Sequence, residues 1–283
     1  MERNGQKDGP LRKEVLQTPL FPEPFESLKE LFDKARVADE FEFCCTLLRM
    51  RGCQDAGWDP LIESEHLINQ TLTLVNSPVD ELFRRRLMLF LYCHLCEMDE
   101  MYRIVANMVR VSQGERYHLD AVNTGGKLPK GWDRLYDCMG DALRVARLAR
   151  SAGFDAVGEL FETAMIRQVR NGFFHSQYAL FNEDFRLTNV SPLSGKGPTI
   201  GYVDEAGAPY FMQTSIIPFE WLVPRIQLAV NTVLTVMNLV GESRLSYKEP
   251  KKIQGRIGHG GGYVELTLLA NEHGLYGFHG LSG

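Results

Sequence analysis

The sequence predicts a mainly α-helical chain with a short β insert before its last helix and a small β-containing tail. Three observations carry this. Apolar residues recur at three- and four-residue intervals over most of the chain, the spacing of one helix face. Strict alternation of apolar and polar residues appears only near 185–212 and 263–278. Glycine and proline punctuate the chain densely between 191 and 207 and after 257.

Residues 1–24 hold Pro10, Pro19, Pro22 and Pro24 among polar residues and read as a loose leader. Phe25, Leu28, Leu31, Phe32 and Ala35 then open a helix expected to run to about Met50, with Gly52 at its end. A shorter helix is expected over Pro60–Val75, so 25–77 forms an N-terminal helical extension. Ser77 suits an N-cap and Pro78 a first helical turn, which predicts one long helix from there to about Ser112, with Gly114 after it. A loop from Asn123 to Gly131 leads to a helix over about 133–150. Gly153 closes that helix, and Asp155 can cap the next, over about 156–175. Phe185 and Leu187 alternate with polar residues. Ile200–Val203 and Tyr210–Met212 read as two strands around a turn at Glu205-Ala206-Gly207, within an insert of about 184–213. The last helix is expected from Pro218 to Gly241. The 246–283 tail holds a basic stretch, a Gly258–Gly262 loop and a possible hairpin of Tyr263–Leu269 with Leu275–Phe278.

Composition narrows the function. Hydrophobic content of 44% and charged content of 24% suit a chain able to bury a core. A net charge of −5 lacks the surplus of Lys and Arg with which proteins bind nucleic acid non-specifically, so any such contact must be local. The first twenty residues show no apolar signal region. The longest apolar stretch, Ile226–Val240, falls short of the roughly 20 residues a membrane span needs and reads as a buried helix. A cytoplasmic protein with six reduced thiols and no membrane partner is therefore expected.

The informative segment is 156–178, AVGELFETAMIRQVRNGFFHSQY. Leu160, Phe161, Ala164, Met165 and Phe173 lie on its apolar side. At 100° per residue, Thr163, Arg167, Arg170, Asn171, His175 and Tyr178 share an arc of about 140°. These residue types suit a phosphate-bearing ligand. Arg offers a planar fork for phosphate, Asn a neutral donor and acceptor, and His a proton near neutral pH. Asn171 and His175 are four apart and face together. Arg170 and His175 are five apart, so they converge only if the helix bends or ends, or if a second subunit contributes. Gly172 between them would permit a distortion. Read from spacing alone, such a stripe is more often a solvated helix face.

Arg170-Asn171-Gly172-Phe173-Phe174-His175 resembles the Arg-x-x-x-x-His motif of the HEPN superfamily, including the polar residue directly after the Arg. The setting is similar too: a four-helix unit over 78–245 (about 78–112, 133–150, 156–178 and 218–241), with the motif late in the third helix and a β insert before the fourth. The resemblance implies a metal-independent endoribonuclease acting as a homodimer, with Arg170 and His175 in the catalytic positions and Asn171 supporting them. Arg167, Tyr178 and Arg147 are then candidates for substrate binding, RNA is the expected substrate, and no cofactor or metal is expected. One position departs from the family. HEPN toxins silenced by nucleotidylation often carry Tyr two residues after the His, where this chain has Gln177 and places Tyr at 178. The other reading is a HEPN-like RNA- or nucleotide-binding or protein-interaction module without catalysis, which the acidic balance favours.

Other motifs are weaker. Cys93 and Cys96 form a CxxC without the second pair a zinc ribbon needs, and they read as core residues. Arg84-Arg85-Arg86 and the set Arg144, Arg147 and Arg150 are either solvated faces or a phosphate track. His259, His273 and His279 lack metal-ligand spacing. No P-loop, dinucleotide fingerprint or nucleophile elbow is present.

Overall fold

The long apolar segment before the tail forms a helix against which several other helices pack. The computed structural model describes residues 23–49, 59–125, 140–187, 199–203, 209–213, 216–256 and 262–280. In chain order the helices are α1 (Pro24–Ala38), α2 (Glu40–Leu48), α3 (Pro60–Val75), α4 (Glu81–Cys96), α5 (Asp99–Ser112), a 3₁₀ turn (Ala121–Gly125), α6 (Gly140–Ser151), α7 (Asp155–Ala164), α8 (Arg167–Phe174) and α9 (Phe219–Leu245). The strands are β1 (Tyr178–Leu180), β2 (Asp184–Leu187), β3 (Thr199–Val203), β4 (Pro209–Gln213), β5 (Ile216–Pro218), β6 (Lys251–Arg256), β7 (Tyr263–Asn271) and β8 (Gly274–His279). The chain is thus mainly helical with small antiparallel sheets, as its periodicity predicts.

α9 buries residues on every side, among them Trp221, Leu222, Ile226, Ala229, Val233, Val236 and Val240. Against it pack α1, α4, α5 and α7. It is 27 residues long, longer than the apolar stretch within it, and by length and composition could cross a membrane. However, 61% of its most apolar window is buried inside the fold. Leu28, Leu31 and Phe32 of α1 join the same continuous core as the later helices. The tail does so too, since β8 packs on α9 and β6 on α2.

Three expected helices are each two. Asp39 interrupts the first: its carboxylate accepts from the N–H groups of Phe41 and Glu42 and starts α2. The second breaks at Glu97-Met98, where the Cys96 carbonyl accepts from the buried Tyr102 hydroxyl at 3.1 Å. The third breaks at Met165-Ile166. Asp80, not Ser77, caps α4 by accepting from Phe83 N–H at 3.0 Å, while the Ser77 hydroxyl donates back to the Leu74 carbonyl. Asp155 lies in the first turn of α7 and makes no side-chain cap, with Phe154 in the N-cap position. Gly153 does end α6, at φ +83°.

The insert strands form as expected. β3 pairs antiparallel with β4, and β1, β2 and β5 form a second sheet with Phe185 and Leu187 buried. In the tail, β7 and β8 make the expected hairpin, and β6 adds an edge strand that the basic stretch at Lys251-Lys252 concealed. The leader up to residue 22, Gly52, Cys53, Cys138, residues 126–139 of the loop and following helix, the 205–207 turn, and His259 with 258–261 of its glycine loop lie outside the described residues.

Candidate functional site

The site is built where two helices end. α8 is only two turns long. It buries Val169 and Gly172 against α4 and β2, and its other face carries Arg170, Asn171 and Phe174. Its start is held from a distance. The fully buried Tyr92 hydroxyl, on α4, donates to the Ala164 carbonyl at 2.8 Å and accepts the Ile166 N–H at 2.5 Å, bridging the break between α7 and α8. Its end is a Schellman turn: Ser176 N–H donates to the Phe173 carbonyl and Gln177 N–H to the Gly172 carbonyl, with Ser176 at φ +54°. His175 occupies the C-cap (φ −89°, ψ 8°), and its backbone N–H still donates to the Asn171 carbonyl at 3.0 Å.

Gly172 has a different role from the one its flexibility suggests. Its backbone is helical, and an added Cβ would meet Leu187 Cδ2 at 2.3 Å. Glycine is there because β2 lies directly on α8. We expect Gly172→Ala to destabilise the fold by about 1–3 kcal/mol through overpacking. The control is Gly241→Ala in α9, where a Cβ meets nothing within 4 Å. Thermal unfolding of the two variants compares them, and equal melting temperatures would refute the close-packing role.

The Arg170 guanidinium is held on several sides. Its Nε lies 2.5 Å from Glu97 Oε1, an ionic contact rather than an aligned hydrogen bond. Its Nη1 donates to Asn171 Oδ1 at 2.7 Å, and its central carbon stands 5.5 Å from the Phe174 ring centroid. Arg170 therefore reaches toward the C-terminal end of α8, where the exposed His175 stands. Among the described residues, no hydrogen bond or ion pair engages the His175 side chain. Glu97 is the residue that sequence reasoning missed. It is the C-cap of α4, far from the motif in the chain, and no local pattern marks it.

The remaining candidates scatter. Arg167 opens α8, half-buried and already engaged. The Tyr178 ring stacks on Phe173 (5.2 Å between centroids) and leans on Phe185 (5.3 Å), so its ring serves packing beneath the motif. Arg147 lies on α6, which packs on α5 and α7, whereas α8 packs on α4 and β2. Arg84 donates to the Val75 and Ser77 carbonyls and pairs with Glu81, and Arg85 lies over the Phe219 ring. Arg144 pairs with Asp141, and Arg150 with Glu162. Arg84, Arg85 and Arg150 thus join helices, while Arg144 pairs within α6. Cys44, Cys45, Cys93 and Cys96 are free and buried, as the core reading expects. Burial pushes the Cys96 thiol up to about 12 and raises that of Cys93 as well. Among the described residues no group of three or more His, Cys, Asp or Glu could hold a metal ion. No family model, curated protein or solved structure matches this chain, so the reading of the site rests on its own residues.

Proposed function

We propose that this chain is a HEPN-type endoribonuclease of the cytoplasm that cleaves RNA without a metal ion and acts as a homodimer. The observation that supports this most is the exposed His175 at the end of α8, the helix that also carries an Arg170 oriented by Asn171. In the reaction, a ribose 2′-OH attacks the adjacent phosphorus and the 5′-oxygen leaves, giving a cyclic phosphate and a free 5′-OH. His175 takes the proton from the attacking hydroxyl or gives one to the leaving oxygen. Arg170 carries the charge that develops on the phosphoryl oxygens. One imidazole does not readily do both proton transfers at once, and a two-fold dimer would bring a second His175 opposite the first. The helices α4 to α9 would supply the four-helix unit, with two of its members broken.

Incubation of the pure protein with RNA in EDTA tests the reading. Cleavage should persist and leave cyclic-phosphate ends, and Arg170→Ala should slow it by about 10²-fold or more. Activity that EDTA abolishes and magnesium restores would count against this mechanism.

A second reading has its own support. Glu97, at the carbonyl end of α4, sets negative charge against Arg170, which favours a cation there and opposes an anionic ligand. On that reading Arg170 is a packing residue of a non-catalytic module that binds RNA, a nucleotide or another protein. It predicts no RNA cleavage and a lower melting temperature for Arg170→Ala.

A further inference from the structure

We propose that Glu97 is the positioning residue for Arg170, fixing which edge of its guanidinium is presented to a phosphate-bearing ligand; this rests on the ribonuclease reading above. An arginine fork has five N–H donors, and their directions are set once two edges are held. Here Glu97 Oε1 takes the Nε edge at 2.5 Å and Asn171 Oδ1 takes one Nη1 donor at 2.7 Å. The Nε atom is itself buried, so the edge that Glu97 faces is not one a ligand could use. Nη2 has no partner among the described residues and is the edge left for phosphate oxygens. Glu97 therefore orients the fork without competing for its working side.

The placement of Glu97 supports this. It caps α4, with its backbone N–H bonded to the His94 and Leu95 carbonyls, so a helix end fixes where its side chain starts. A carboxylate beside the carbonyl end of a helix is electrostatically misplaced unless a cation answers it. Arg170 is that cation. Both side chains are partly in water, at 24% exposure for Arg170 and 40% for Glu97, so the pair contributes little to folding. Its consequence is geometric.

The experiment uses a fluorescently labelled single-stranded RNA as probe and the His175→Ala protein as parent, so that binding is read without cleavage. Adding Glu97→Ala should weaken binding by about five- to tenfold. Adding Glu97→Gln should weaken it nearly as much as Glu97→Ala, because the contact at Nε is ionic and a neutral amide carries no charge to hold the fork. On an Arg170→Ala background neither change should matter further. All of these proteins should melt within a few degrees of the parent. Glu97→Ala binding that equals or exceeds the parent's, while Arg170→Ala still weakens it, would overturn the role of Glu97 alone. A Glu97→Ala loss that persists without Arg170 would overturn it too. If Arg170→Ala binds RNA as the parent does, or if the parent does not bind RNA, the ribonuclease reading and this proposal fall together.

Discussion

His175→Ala is expected to abolish RNA cleavage, by about 10²–10⁴-fold, while leaving the fold intact. The size follows from what a positioned proton-transfer group contributes to such a step. The intact fold follows from the site. His175 is exposed at a helix C-cap, and its backbone N–H, not its side chain, closes the last turn by donating to the Asn171 carbonyl at 3.0 Å. Alanine keeps that bond, so stability should change by no more than about 0.5 kcal/mol. Single-turnover cleavage of a defined RNA, paired with thermal unfolding, measures both quantities. A variant that cuts at the wild-type rate would end the proposed mechanism. One that is inactive because it unfolds would contradict the placement of His175 described above.

Tyr92→Phe should have the largest effect on stability of any single-atom change near the site. The Tyr92 hydroxyl satisfies two buried backbone groups at the α7–α8 break, the Ala164 carbonyl and the Ile166 N–H. Phenylalanine keeps the ring and strands both. Each stranded buried group costs about 1–3 kcal/mol, so the loss should be about 2–6 kcal/mol. Chemical denaturation measures it. Tyr178→Phe serves as the control, because among the described residues that hydroxyl has no hydrogen bond, although its ring is packed. Equal midpoints for the two variants would refute the account. The change should also lower cleavage, since the start of α8 sets where Arg170 and His175 stand, and a 1 Å misplacement is enough to slow such chemistry.

The helical class, the insert, the tail hairpin and the burial of Cys93 and Cys96 were legible in the sequence because each leaves a local signal. Period three to four marks a helix face, period two marks a strand, and Gly153 marks a helix end with a conformation that few other residues adopt. The motif was legible for the same reason: Arg170, Asn171 and His175 lie within six residues. The breaks were not. Neither Glu97-Met98 nor Met165-Ile166 contains Gly or Pro, so no local signal marks a helix end there. The chain stops there because the backbone groups freed by each break find buried tyrosine hydroxyls, Tyr102 for one and Tyr92 for the other, and those partners exist only once the core is assembled. Strand β6 was concealed because only Ile253 and Gly255 face inward, and Gly255 is required by Phe41, whose ring would lie 2.8 Å from an added Cβ. The sequence by itself determined which residues the proposal sets against a phosphate. Tertiary structure decided that α8 ends at His175, that Gly172 lets β2 lie on it, and that Glu97 meets Arg170, because each of these depends on atoms brought together from distant parts of the chain.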